Sequence, residues 1–183
     1  MAASWGAAWE QPVLEGKWRG WWHIRGGEAP LDAEIASVSR DSSKVDVFVV
    51  ASNGTAYTAA WDENVKESEW RGWWPIGGLT APPGSAISAV SRDPNKLDVF
   101  VVGNDGHVYT AAWDHNVSQG KWRGWWNIQS GKNCPPGAPV GAVSRDSNKL
   151  DVFVVGNDGR VYTAAWDHNV ADGKWRGWWT IAP

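Results

Sequence analysis

The sequence is poor in the residues that most often carry chemistry. Its 183 residues include one cysteine and four histidines. It has no Gly-x-Ser-x-Gly word, no phosphate-binding loop and no dinucleotide fingerprint. Cys134 stands alone, so no disulfide can close within the chain, which fits a reducing compartment. Charge of one sign is also lacking. The net charge is −3, and the lysines and arginines are spread along the chain, which argues against a duplex nucleic-acid surface. No apolar run approaches the roughly 20 residues of a membrane-spanning helix, so membrane insertion is not expected. Met1 to Gln11 has neither a basic start nor an apolar stretch. No signal peptide is therefore read, and the expected location is the cytoplasm as synthesised, with later release by a route without such a leader left open. Finally, no segment has a 3.6-residue apolar period, which leaves helices without support.

What is abundant is tryptophan, with seventeen. Twelve lie in four copies of Trp-Arg-Gly-Trp-Trp: Trp18 to Trp22, Trp70 to Trp74, Trp122 to Trp126 and Trp175 to Trp179. The word arginines are 52, 52 and 53 residues apart. A period near 50 is the mark of a repeat architecture. Other words recur with it. Ser-Arg-Asp begins at Ser39, Ser91 and Ser144, Asp-Val-Phe-Val-Val at Asp46, Asp98 and Asp151, and Tyr-Thr-Ala-Ala-Trp-Asp at Tyr57, Tyr109 and Tyr162. Most tryptophans are expected in the core, because an indole buries a large area while its N–H seeks a partner.

The repeats divide the chain into a half unit, 1–24, and three full units, 25–76, 77–128 and 129–181. Each full unit reads as four strands. In the first they begin near Ile35, Val45, Ala56 and the Trp-Arg-Gly-Trp-Trp word. Asn53-Gly54, Asp105-Gly106 and Asp158-Gly159 mark tight hairpins between the second and third strands. The second strand, Val47-Phe48-Val49-Val50, is apolar on both faces, although tight hairpins make the sheet antiparallel. An antiparallel sheet with one wet face would alternate. Each small sheet is therefore covered on both sides, as in a radial stack of four-stranded blades. The fold expected is an all-β propeller of about 3.5 blades per chain, completed by a homodimer to a ring of the seven-bladed type. A monomeric four-bladed propeller and a β-trefoil are the alternatives.

The run Leu-Asp-Val-Phe-Val-Val-Gly-Asn-Asp-Gly-x-Val-Tyr-x-x-x-Trp-Asp, followed by Trp-x-x-Trp-x-Ile, resembles the repeat of the PLL-like bacterial lectins. The resemblance covers nearly the whole chain. It implies a β-propeller that binds fucose or related sugars in grooves between blades, although this sequence holds half the number of blades.

Two rims gather candidate residues. One brings Arg92 and Asp93 to Asp114, His115 and Asn116, and in the next unit Arg145 and Asp146 to Asp167, His168 and Asn169. These residues suit either a polar sugar cluster or a corner held by an Arg–Asp pair and Asx turns. The other rim brings Asn104 and Asn157 in their hairpins to the Gly/Pro connections. The resemblance implies this rim or the adjoining groove, with Trp61, Trp113 and Trp166 as stacking platforms. A sugar needs donors and acceptors for its hydroxyls and a flat aromatic partner for its apolar face. The candidate sugar residues are therefore Trp61, Trp113, Trp166, Asn104, Asn157, Arg92, Arg145, His115 and His168.

The histidines lack zinc spacing and the Asp-rich turns lack a calcium loop, so no metal or other cofactor is expected. An enzyme needs one asymmetric constellation, whereas near-identical units give several equal weak sites. The function expected is a multivalent, non-catalytic lectin for fucosylated or similar glycans. The alternative is a protein–protein scaffold or self-assembling module.

Overall fold

The computed structural model describes residues 2–8, 18, 20–65, 70–117, 120–129 and 133–181. Among these residues fourteen strands form four antiparallel sheets. The half unit contributes β1 (Ala2–Gly6) and β2 (Trp22–Ala29). The first blade is β3 (Ile35–Asp41), β4 (Lys44–Val50), β5 (Ala56–Asp62) and β6 (Arg71–Ile76). The second is β7 (Ile87–Asp93), β8 (Lys96–Val102), β9 (Val108–Asp114) and β10 (Trp122–Asn127). The third is β11 (Val140–Asp146), β12 (Lys149–Val155), β13 (Val161–Asp167) and β14 (Trp175–Thr180). Strands pair in chain order within each blade, and β3 and β11 both lie against β7 at the hub. This is the propeller of about 3.5 blades.

The half-blade keeps the register of the full ones. Gly6 faces Trp22 across β1–β2 as Thr58 faces Trp74 across β5–β6. However, β2 runs on to Ala29, past the unit boundary at residue 24, because Ala2 and Ala3 pair with Ala29 and Glu28 beyond a bulge. Ile24 packs on Val47 and Ala59, with Trp70 and Trp73 beside them, and docks the half-blade on the first blade.

The cores lie between blades. Phe48, Val50 and Ile76 of the first blade meet Leu97, Val99 and Val101 of the second. Phe100, Val102 and Ile128 of the second meet Leu150, Val152 and Val154 of the third. In the first and second blades the second strand, β4 or β8, is thus dry on both faces, which is why its sequence does not alternate. The tryptophans differ from expectation: none of those described is fully buried. The blades are thin, and the tryptophan words lie on their outermost strands. Trp125 and Trp178 each donate the indole N–H to a carbonyl of the preceding blade, Ile76 and Ile128, at 3.0 Å.

Candidate functional site

A crevice of about 630 Å³ opens between the second and third blades. Strand register builds its floor. Asp98 on β8 lies opposite Ala112 on β9, and Ala112 opposite Arg123 on β10. Two residues along, Phe100 lies opposite Thr110, and Thr110 opposite Trp126. Side chains two apart share a face, so both rows turn toward the third blade.

Arg92 enters from the end of β7. Its Nε donates to Asp98 Oδ2 at 2.5 Å, and its Nη1 donates to the Ser147 carbonyl of the next blade at 3.4 Å. The guanidinium lies 5.1 Å from the Trp166 ring of that blade. Burial pushes the Asp98 carboxyl above the usual range, and the nearby Arg92 and Arg123 charges only partly oppose it. On the far wall, Trp175 meets Phe100 edge-on at 5.9 Å, and Lys174 stands at the rim.

Two polar atoms on the floor have no hydrogen-bond partner among the described residues: Thr110 Oγ1 and Arg123 Nε. Thr110 is only 4 % exposed. Buried donors and acceptors are nearly always paired, so orphans clustered in a cleft point to a ligand. Beside them the Arg123 guanidinium lies 5.7 Å from the ring of Trp126, an indole that is 46 % exposed. Donors, an acceptor and a half-open aromatic plane therefore share one cleft, a set that can hold a polyol with one apolar face.

The same construction recurs between the first and second blades. Arg40 Nε donates to Asp46 Oδ2 at 2.6 Å, and its guanidinium lies 5.1 Å from the Trp113 ring. Thr58 Oγ1 is the orphan there, and Phe48 meets Trp122 edge-on at 5.8 Å.

Of the residues singled out in the sequence, Arg92 and Trp166 line the crevice between the second and third blades, and Trp113 stands at the matching place between the first and second. The indoles of Trp113 and Trp166 donate to the carbonyls of Gly120 and Gly173, at 2.7 and 2.6 Å, so each also ties down its own loop. Trp61 takes this position on the first blade and is half-buried. Arg145 pairs with Asp151 at 2.5 Å on the open face of the third blade. His115 and His168 are exposed beside Trp113 and Trp166, with ring centroids 5.9 and 6.0 Å apart, and are not among the residues lining the crevice. Asn104 and Asn157 lie on the opposite rim. There Asn104 Nδ2 donates to Thr80 Oγ1 at 3.2 Å, and the Asn157 N–H donates to the Asn133 carbonyl at 3.1 Å.

The corner residues pair differently from the expected neighbours. Arg92 reaches Asp98 rather than Asp93, while Asp93 accepts from the Asn95 N–H at 2.8 Å and from Lys96 at 2.9 Å. Sequence reasoning missed Asp98, Thr110, Arg123 and Trp126. The fourfold recurrence of the word arginine was the available signal for Arg123.

The sequence matches no protein-family model and no curated protein sequence. Solved structures do match. The BP39L lectin from Burkholderia pseudomallei is 31 % identical with a TM-score of 0.75, covering 91 % of this chain and 46 % of that one. A mutant of the Aleuria aurantia lectin in complex with α-methyl-L-fucoside is 18 % identical with a TM-score of 0.65, covering 89 % and 50 %. The SapL1 lectin in complex with α-methyl fucoside is 22 % identical with a TM-score of 0.61, covering 90 % and 53 %. The Aleuria lectin is a six-bladed β-propeller. This chain spans about half the length of each of these lectins.

Proposed function

We propose that the chain is a PLL-like β-propeller lectin, a non-catalytic carbohydrate-binding protein whose crevices hold fucose or a similar deoxy or methylated sugar. One observation carries the reading: orphaned Thr110 Oγ1 and Arg123 Nε sit beside the half-open Trp126 indole on the floor of a single crevice. In this reading, sugar hydroxyls complete the bonding of the threonine and arginine. The methyl group and apolar ring face lie against indole. Two crevices of one design in each chain give repeated weak contacts, which a surface bearing many glycans converts to avidity.

Calorimetric titration with α-methyl-L-fucoside, read alongside tryptophan emission, tests the proposal. Heat release with a saturable emission change supports it. No heat and no emission change with this sugar, together with a glycan array without hits, would overturn it in favour of a scaffold whose tryptophans serve packing alone.

A further inference from the structure

We propose that a further sugar crevice forms between two copies of this chain, the third blade of one supplying its floor and the half-blade of the other its far wall. The proposal rests on reading the two internal crevices as sugar sites.

The third blade carries the whole floor with no wall. Arg145, Asp151, Thr163 and Arg176 occupy the places of Arg92, Asp98, Thr110 and Arg123. The Arg145 side chain is 54 % exposed against 9 % for Arg92, and no ring covers it among the described residues. The apolar positions around it are bare. Val155 is 51 % exposed where Val102 is 0 %, and Ile181 45 % where Ile128 is 1 %. On the second blade these positions are dry because another blade lies on them.

The half-blade carries the matching wall with no floor. Trp18 and Trp21 stand at the word positions of Trp175 and Trp178, yet are 69 and 73 % exposed. Inside the chain, Trp175 meets Phe100 edge-on, and Trp178 donates its indole N–H to the Ile128 carbonyl. The repeat thus directs Trp18 of one copy to Phe153 of the other, and Trp21 to the Ile181 carbonyl. The opposite face of the half-blade is already docked on its own first blade through Ile24. Trp18 and Trp21 stand exposed just before this docked strand.

A second copy is the occupant because the exposed floor calls for tryptophans at the spacing of this repeat. Each chain bears one floor and one wall, so two chains related by a twofold axis satisfy both. Closure also covers the apolar blade faces that would otherwise promote aggregation.

The experiment measures mass in solution and the number of α-methyl-L-fucoside molecules bound per chain. For the full chain we expect twice the 20.0 kDa of one chain and three sugars per chain, two in the internal crevices and one between copies. Trp18→Ala removes an indole that is already exposed in the protomer, so the fold should hold while the mass halves and binding falls to two sugars. Arg145→Ala should keep the double mass and also bind two. A single-chain mass with two sugars bound overturns the proposal and leaves the lectin reading standing. A double mass with two sugars in the unmodified chain overturns the shared crevice. A double mass with no sugar bound overturns the lectin reading and the shared crevice together.

Discussion

The Arg92 and Asp98 side chains form a 2.5 Å ion pair that the next blade seals, leaving them 9 % and 6 % exposed. Their repeats Arg145 and Asp151 make the same contact in the open, at 54 % and 18 %. Removing one partner of a buried pair leaves a charge with neither water nor counter-ion. Arg92→Ala should therefore cost about 3–5 kcal/mol of stability. Arg145→Ala, in chain dilute enough to be single, should cost less than about 1 kcal/mol. Urea unfolding of the two variants checks the contrast, and equal losses would mean that burial does not set the strength of this pair.

The contrast also shows what the sequence could convey. The repeated words revealed strands, hairpins and the half-blade because each is encoded locally, by β-branched runs and Asp-Gly or Asn-Gly turns. Partners across a blade were less legible. In the Trp-Arg-Gly-Trp-Trp word of each full blade a bulge interrupts the pairing, as between Arg123 and Trp125. Simple alternation would set Arg123 and Trp125 on one face. The bulge instead puts Arg123 with Trp126, while Trp125 turns back to the Ile76 carbonyl of the preceding blade. Which tryptophan faces the crevice therefore depends on an irregularity that a period-two reading passes over. Arg92 likewise finds Asp98 across a hairpin rather than its neighbour Asp93, a choice made by strand pairing.

Acid should empty the crevices before it loosens the hairpins. Burial, opposed by the Arg92 and Arg123 charges, raises the Asp98 carboxyl above its ordinary 3.8, so the folded chain takes up this proton more readily than the unfolded chain does. As pH falls through that raised value, Asp98 becomes neutral and Arg92 loses its charged partner. This protonation by itself favours the folded form, so binding should decline while the fold persists. Asp41 behaves in the opposite sense. Bonds from Lys44 and Ser43 lower it to about 2, so its stabilising contribution, full above 3.8, disappears only as pH drops toward that value. Titration with α-methyl-L-fucoside from pH 7 downward, followed in parallel by circular dichroism, should show binding lost at a higher pH than structure. Simultaneous loss would contradict this order.

Gly106 and Gly159 occupy equivalent hairpins at φ +76° and +74°, but their surroundings differ. A Cβ on Gly106 would stand 2.5 Å from the Cys134 carbonyl oxygen, in a segment whose Cys134 N–H donates to the Gly106 carbonyl at 2.8 Å. At Gly159 nothing lies within 4 Å. Gly159→Ala should cost only the left-handed backbone penalty, about 1–2 kcal/mol. Gly106→Ala should add displacement of the Cys134 connection, for a total near 3 kcal/mol. Thermal melts of the two single variants provide the comparison, and matched losses would show that the connection yields freely.

Thr110 sets stability against binding. Its hydroxyl is buried on the crevice floor without a partner among the described residues, and an unpaired buried polar group costs about 1–3 kcal/mol. Valine has nearly the same shape and no hydroxyl. Thr110→Val should therefore leave stability unchanged or raise it by about 1 kcal/mol, the reverse of most core substitutions. If the hydroxyl is held open for a sugar, the same change should weaken α-methyl-L-fucoside binding at that crevice by about tenfold, which corresponds to 1.4 kcal/mol. The crevice at Thr58, whose hydroxyl is likewise unpaired, should remain intact in this variant and serve as an internal reference. Stability gained with no loss of binding would mean that the orphaned hydroxyl is a packing accident, and would move the sugar contacts toward Arg123 and Trp126 alone.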